Sequence, residues 1–113
     1  MCIRDRCGLC GLTSAEGLVR HMRPLAPGAP HVSLARLSAC LERLRTQQPL
    51  FEATGGAHAA GVFGLDEGDA LWAAREDVGR HNALDKALGA CVRAGRRLER
   101  SACLLYTSDA ADE

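Results

Sequence analysis

The sequence has no excess of charge of either sign, because its 14 lysines and arginines balance 14 aspartates and glutamates. A chain without net charge exerts no general attraction on nucleic acid or on an anionic membrane surface. The arginine-rich stretch "RAGRRLER" at 93–100 is therefore predicted to be a solvated helix end or turn. We expect no nucleic acid among the partners of this protein.

The sequence also lacks an apolar run long enough to cross a bilayer, and it lacks a signal peptide with a charged start and an apolar middle. We therefore expect a cytoplasmic protein without a membrane partner, in a compartment where thiols stay reduced. Free thiols are then expected rather than a disulfide scaffold. Cys40 and Cys91 lie among leucines and alanines and are predicted to be core residues.

The 113 residues suffice for one small domain with a single core. The two ends, 1–6 and 106–113, share no periodicity with their neighbours and resemble translated adapter sequence. We interpret both as non-native segments, which leaves 7–105 as the predicted domain.

Two helices are predicted in the first half of the chain. Thr13 and Glu16 have the spacing of a capping box, so a short helix is expected from there to about Met22. Ser33 is expected to cap a second helix that ends near 47–48. The leucines of that helix repeat at helical spacing and form one predicted apolar stripe, Leu34, Leu37, Leu41 and Leu44.

Short apolar runs separated by turn residues predict paired strands in the second half of the chain. Together with the helices they indicate a mixed α/β fold. The predicted order is a strand at 59–65, a tight turn at 66–69, a strand at 70–75, a helix from Arg80 to Gly95 and the opening of a further strand at 101–105.

Cys7 and Cys10, in the stretch "CGLCG", have the one cysteine spacing that carries chemistry. They supply half of a zinc site, but none of the four histidines shows the second paired spacing that would complete one. They also fit a dithiol redox couple, although the flanking glycines make a rigid redox site less natural. A thiolate that carries sulfur between a donor and an acceptor is the third interpretation. The residues alone leave these alternatives open.

The stretch "TGGAHAA" at 54–60 places two glycines and a histidine where a turn meets the first predicted strand. Gly55 and Gly56 allow a ligand to approach the backbone closely, or simply make a tight turn. A lone histidine such as His58 is more often a structural group than a catalyst. A zinc-dependent nucleobase deaminase needs a glutamate where Ala60 stands, so that chemistry is excluded.

The stretch "REDVGRHNALDK" at 75–86 is the densest polar run in the chain. On a helix, His81 and Asp85 lie four residues apart and are expected at the edge of the buried face, where they can hydrogen-bond to each other. A structural pair that locks the helix on the sheet is the simpler interpretation. The apolar residues expected on that face are Leu84, Leu88 and Val92.

The other interpretation of this run is a binding site. The helix N-terminus at Gly79 offers backbone N–H groups to an anion, with Arg80 and Lys86 nearby. Glu76 and Asp77, just before the helix, are predicted either to cap its N-terminus or to contact the polar edge of a ligand.

Taken in order, "CGLCG", "FEATGGAHAA" and "EDVGRHNALDKALG" resemble the FdhD/NarQ family, the formate dehydrogenase accessory sulfurtransferases. The resemblance covers about 7–105, and its most specific part is the "EDVGRHNALDK" run. It implies an α/β core similar to that of cytidine deaminase, without the deaminase metal site. Members of the family continue beyond this stretch, so the chain is interpreted as a central fragment.

The resemblance further implies a sulfurtransferase that carries persulfide sulfur on Cys7, with Cys10 as its partner. A cysteine desulfurase would be the sulfur donor. The acceptor would be the molybdenum (or tungsten) bis-molybdopterin guanine dinucleotide cofactor, a bound client that formate dehydrogenase requires. No permanently bound metal is expected, and a homodimer is left open.

We further predict that the two downstream motifs bind the cofactor. The assigned residues are Gly55, Gly56, His58, Glu76, Asp77, Arg80, His81 and Lys86. The alternatives are a zinc-stabilised binding module or a dithiol redox protein that uses the same pair of cysteines.

Overall fold

The computed structural model describes residues 13–24, 28 and 30–107. These residues form helices and one antiparallel sheet, so the expected mixture of both element types is confirmed, whereas the likeness to a cytidine deaminase core remains a prediction. No helix in the described ranges is long and apolar enough to span a bilayer. The elements in chain order are α1 (Ala15–His21), α2 (Leu34–Arg45), α3 (Pro49–Thr54), β1 (His58–Gly64), β2 (Ala70–Asp77), α4 (Arg80–Arg93) and β3 (Ser101–Tyr106).

Strand β1 is the centre of the sheet, because β2 and β3 pair with it on either side, both antiparallel. Every residue of β1 is buried. Ala60 and Val62 pack in the cluster that includes α4, whereas Ala59 and Phe63 pack in the cluster that includes α2. This alternation follows from the two-residue period of a strand. The central strand is therefore covered by a helix on each face.

A β-bulge lies near the turn that joins β1 and β2. The register shifts between Val62 and Phe63, which leaves Trp72 as an extra residue of β2. The indole of Trp72 lies over Gly64 and donates a hydrogen bond to the Glu67 carboxylate at 3.0 Å. A side chain at Gly64 would overlap this indole, so the packing requires a glycine there.

Helix α1 begins one residue later than the predicted cap implies. The hydroxyl of Ser14, and not that of Thr13, accepts the Gly17 N–H at 3.1 Å. The predicted capping box of Thr13 with Glu16 is therefore wrong, since the residue three after Ser14 is a glycine without an acceptor side chain. The helix ends at His21, one residue before the predicted end.

Ser33 caps α2 as predicted, because its hydroxyl accepts the Arg36 N–H at 3.2 Å. The predicted leucine stripe is confirmed only toward the end of the helix. Leu44 is fully buried, whereas Leu34 is 79% exposed. The packing of α2 on the sheet is thus made by its C-terminal part, where Cys40 is also buried.

Helix α3 was not predicted, because its six residues are too few to show a helical period. It begins at Pro49, at a position where the missing N–H of proline is tolerated. It ends at Gly55 with a φ of 68°, a left-handed conformation that glycine adopts without strain. The predicted turn at Gly55 is therefore present as the C-cap of this helix.

The predicted strand pair, the long helix α4 and the third strand are all present. Strand β3 runs as far as Tyr106, whose ring packs edge-on against Phe51 with 5.9 Å between the ring centroids. The domain boundaries at 7 and 105 and the non-native character of both ends remain predictions.

Gly64→Ala is expected to lower the free energy of unfolding by about 1–3 kcal/mol, because the added methyl group overlaps the Trp72 indole. Gly89→Ala in α4 is the matched control, since its methyl group meets no atom within 4 Å. The control is expected to gain up to about 1 kcal/mol from helix propensity. Urea unfolding followed by circular dichroism measures both, and equal effects of the two substitutions would contradict the packing described for Trp72.

Candidate functional site

The two downstream motifs meet at one end of the β1–β2 hairpin. Gly55 and Gly56 lead into β1, and antiparallel pairing places His58 opposite Asp77, at the end of β2. Helix α4 then begins only three residues later. We call this end of the hairpin, with the first turn of α4, the hairpin opening. Residues that are distant in sequence are therefore neighbours there.

Glu76 lies in the hairpin opening on the side of α3. Its two carboxylate oxygens accept the N–H groups of Leu50 at 2.9 Å and Phe51 at 2.8 Å. Gln48, the N-cap residue of α3, provides no side-chain cap of its own. Glu76 therefore caps α3 from a neighbouring strand. The prediction that Glu76 caps the helix after β2 is wrong, because the alternation along β2 turns this carboxylate to the opposite face of the sheet.

Asp77 lies on the other face and holds the start of α4. Its Oδ1 atom accepts the Gly79 N–H at 2.9 Å and a longer bond from the Asn82 amide at 3.4 Å. Its Oδ2 atom pairs with the Lys86 ammonium at 2.7 Å. The bond from Lys86, followed by that from the Gly79 N–H, holds the pKa of Asp77 below its usual range. Asp77 thus binds the N–H of Gly79, the residue just before α4, but no side chain caps the first turn of that helix.

Lys86 ties the second turn of α4 back to strand β2. Besides its ion pair with Asp77, its ammonium donates a hydrogen bond to the Glu76 carbonyl oxygen at 3.0 Å. The N–H of Gly79 that was expected to face an anion is already bonded to Asp77. Arg80, by contrast, is exposed at the first turn of the helix.

His81 and Asp85 are both exposed, so their predicted place at the edge of the buried face is wrong. Helix α4 packs on the sheet through Ala83 and Ala87 instead, which are fully buried. These alanines lie two residues further along, roughly half a turn around the helix. Of the apolar residues expected on the buried face, Leu84 and Leu88 do pack against the core, whereas Val92 is 62% exposed.

His58 is buried at the start of β1, with 3% of its surface exposed. The two glycines before it, Gly55 and Gly56, are exposed. A Cβ atom at Gly55 or Gly56 would meet no atom within 4 Å. The space beside these glycines is therefore unfilled, and their role in ligand binding remains a prediction.

Two concave regions lie along α4 beside the hairpin opening, and they share Lys86. The first has a volume of about 500 Å³ and is lined by Asp77, Asn82, Asp85 and Lys86. The second also has a volume of about 500 Å³ and is lined by Arg75, Lys86, Gly89, Ala90 and Arg93. Sequence reasoning missed the second set, although four of its members recur at the spacing of one helix face.

The predicted sulfur-carrying residues Cys7 and Cys10 lie outside the described residues. Among the described cysteines, Cys40 and Cys91 are buried, and this burial raises the pKa of both thiols. They are therefore held in the protonated, unreactive form, which agrees with their predicted place in the core. The described ranges contain no cluster of three or more potential metal ligands.

The chain is similar to proteins named "Sulfur carrier protein FdhD". It is 50% identical to that of Anaeromyxobacter dehalogenans (strain 2CP-C) over 96 residues, which are 85% of this chain and 32% of the relative. It is 43% identical to that of Corynebacterium efficiens over 108 residues, 95% of this chain and 38% of the relative. The chain thus spans about a third of the length of these relatives.

No solved structure matches the chain. The sequence pattern of the FdhD/NarQ family, in contrast, matches residues 1–111. The matched region includes both the "CGLCG" stretch and the whole hairpin opening. The chain therefore belongs to the FdhD/NarQ family.

Proposed function

We propose that the chain is part of a sulfur carrier that serves formate dehydrogenase. It accepts persulfide sulfur from a cysteine desulfurase and passes it to the molybdenum (or tungsten) bis-molybdopterin guanine dinucleotide cofactor. The observation that carries this proposal is the family match, since it runs through the two cysteines and the hairpin opening together. The relatives are named for sulfur carriage, which supports the same role here.

Sulfur moves by exchange at Cys7. Its thiolate attacks the outer sulfur of the donor's persulfide, the donor's S–S bond breaks, and the donor cysteine leaves as a thiolate. A new S–S bond at Cys7 now holds the transferred sulfur. Delivery follows the same course, because an acceptor nucleophile takes the outer sulfur and the Cys7 thiolate leaves. Cys10, three residues away, is the partner thiol of this loop.

The hairpin opening is the proposed place of the cofactor. Glu76 and Asp77 position the elements around it, because each holds the start of one helix. Arg80 and His81 are exposed on the first turn of α4, which supports their proposed contact with the ligand. The other proposed members are Gly55, Gly56, His58 and Lys86.

Sulfur loading on Cys7 tests the proposal directly. The full 113-residue chain is incubated with a cysteine desulfurase and cysteine, and peptides are examined by mass spectrometry for one added sulfur atom. The sulfur is expected on Cys7 and is lost in Cys7→Ser. Cys103→Ser is the control, because it removes an exposed thiol outside the motif.

Added sulfur that is lost in Cys103→Ser, and not in Cys7→Ser, would contradict sulfur carriage by the "CGLCG" loop. Zinc analysis of the same preparations tests the alternative of a zinc-stabilised binding module. Stoichiometric zinc that disappears in Cys7→Ser would identify such a module. A reversible disulfide between Cys7 and Cys10, without any sulfur loading, identifies a dithiol redox protein.

His81→Ala is expected to weaken the binding of guanosine diphosphate about tenfold, the effect of losing one hydrogen bond to a charged group. Stability should change by less than about 0.5 kcal/mol, because the side chain is exposed. His31→Ala, which removes another exposed histidine, is the control for calorimetric titration. A loss of folding in His81→Ala, with no separate loss of binding, would show that this residue is structural.

Asp77→Asn is expected to lower the free energy of unfolding by about 1 kcal/mol near neutral pH, because the ion pair with Lys86 is lost. The pKa of Asp77 is lowered in the folded state, so its stabilisation is present above the unfolded value, about 3.9, and is lost as the pH falls through the folded value. Urea unfolding at neutral and acidic pH should therefore show a difference from the native chain that disappears in acid. A difference that persists at low pH, or that Glu42→Gln on α2 reproduces, would contradict this role.

A further inference from the structure

We propose that the second concave region, between β2 and α4, binds the phosphate group of a small phosphorylated ligand. We call this region the arginine groove. It is lined by Arg75, Lys86, Gly89, Ala90 and Arg93. The binding of phosphate does not depend on the sulfur chemistry, and only the identification of the natural ligand with the nucleotide cofactor rests on the proposed function.

The two walls of the arginine groove come from different elements that face each other. On α4, Lys86, Gly89, Ala90 and Arg93 are spaced by three, one and three residues, which places them on one face of the helix. On β2, Arg75 pairs with Ala60, and Ala60 belongs to the cluster that packs against α4. The three cationic side chains therefore converge on one concave surface.

The charge in the arginine groove is not neutralised by neighbouring side chains. In the described part of the chain, no ion pair joins a carboxylate to Arg75 or Arg93. Arg75 gives one N–H to the carbonyl oxygen of Ala74 at 2.8 Å and keeps its other donors. Only Lys86, at one end, is paired with a carboxylate. The remaining positive charges repel each other, and a bound anion relieves that repulsion.

No packing contact requires a glycine at position 89. It lies inside α4, where glycine is about 1 kcal/mol less favourable than alanine. A Cβ atom there would meet no atom within 4 Å, so no neighbour requires its absence. A larger side chain at Gly89 would instead fill the arginine groove. Gly89 thus keeps the floor of the groove open at the expense of helix stability.

The size and the donors of the groove indicate the class of ligand. The region is shallow and open, and its volume of about 500 Å³ is in the range of sites for small molecules. Guanidinium groups bind phosphate oxygens through two parallel N–H bonds. Two arginines from opposite walls fit a pyrophosphate group, which offers oxygens on two phosphorus atoms. Such a group is present both in free pyrophosphate and in a nucleoside diphosphate.

Calorimetric titration of the full chain with inorganic pyrophosphate tests the proposal, with guanosine diphosphate and adenosine diphosphate as further probes. Arg75→Gln and Arg93→Gln are each expected to weaken pyrophosphate binding at least tenfold. Gly89→Leu, which fills the floor, is expected to weaken it as well. Arg97→Gln is the matched control, because it removes the same charge from an exposed arginine outside the groove. All these variants should still load sulfur on Cys7.

Binding of all three probes, reduced in the groove variants and kept in Arg97→Gln, supports the arginine groove as a phosphate site. If one nucleotide binds more tightly than pyrophosphate, the natural ligand is assigned to that nucleotide. If the nucleotides and pyrophosphate bind equally tightly, the natural ligand is assigned to free pyrophosphate. No pyrophosphate binding, or an equal loss in Arg97→Gln, overturns the proposal. Binding of the nucleotides without pyrophosphate overturns it too. A failure of sulfur loading in the native chain would instead contradict the proposed function and leave these binding results standing.

Discussion

Two adjacent carboxylates at the end of β2 hold the described fold together around the hairpin opening. Successive side chains of a strand point to opposite faces of the sheet, so Glu76 and Asp77 cannot serve the same helix. Glu76 accepts the first free N–H groups of α3, and Asp77 accepts the N–H of Gly79 at the start of α4. One dipeptide therefore positions a helix on each face of the sheet. Both bonds satisfy donors that every helix leaves unpaired at its N-terminus.

This arrangement decides which side chains are left for a ligand. Glu76 and Asp77 are engaged with backbone N–H groups and Asp77 also with Lys86, so their first role is to position helices. The exposed cations Arg80 and Arg93, on opposite ends of α4, are not engaged in this way. The arginine groove extends from the hairpin opening along the helix, because both concave regions contain Lys86. A ligand that spans them would meet carboxylates at one end and guanidinium groups at the other.

The parts of the fold that depend on local pattern were predictable from the sequence. The buried run of β1, the polar turn after it and the long α4 follow from periodicity and glycine positions. The cap at Ser33 follows from a residue type that favours that position. Helix α3 was not predictable, since it is short and its cap comes from Glu76, on a strand that follows much later in the chain. No local pattern encodes such a contact.

The candidate site, like the fold, was predictable only where it depends on local sequence pattern. The glycines and polar residues of the two motifs were recognised from sequence, but only the register of His58 with Asp77 shows that they are neighbours. The arginine groove was missed because Arg75 belongs to a strand and Arg93 to a helix, and each alone has the pattern of a solvated charge. The buried face of α4 was predicted only in part. Leu84 and Leu88 pack against the core as expected, but Ala83 and Ala87, which give a weak apolar signal, are the residues that are fully buried.

The central proposal is that the hairpin opening holds a guanine nucleotide. Amide chemical shifts of the isotope-labelled chain, recorded while guanosine diphosphate is added, test it most directly. The account predicts that the largest shifts occur at Gly55, Gly56, Arg80 and His81 and along the arginine groove, while the turn at 66–69, at the far end of the hairpin, stays unchanged. Shifts that concentrate at 66–69, or no shift at the hairpin opening, would contradict it.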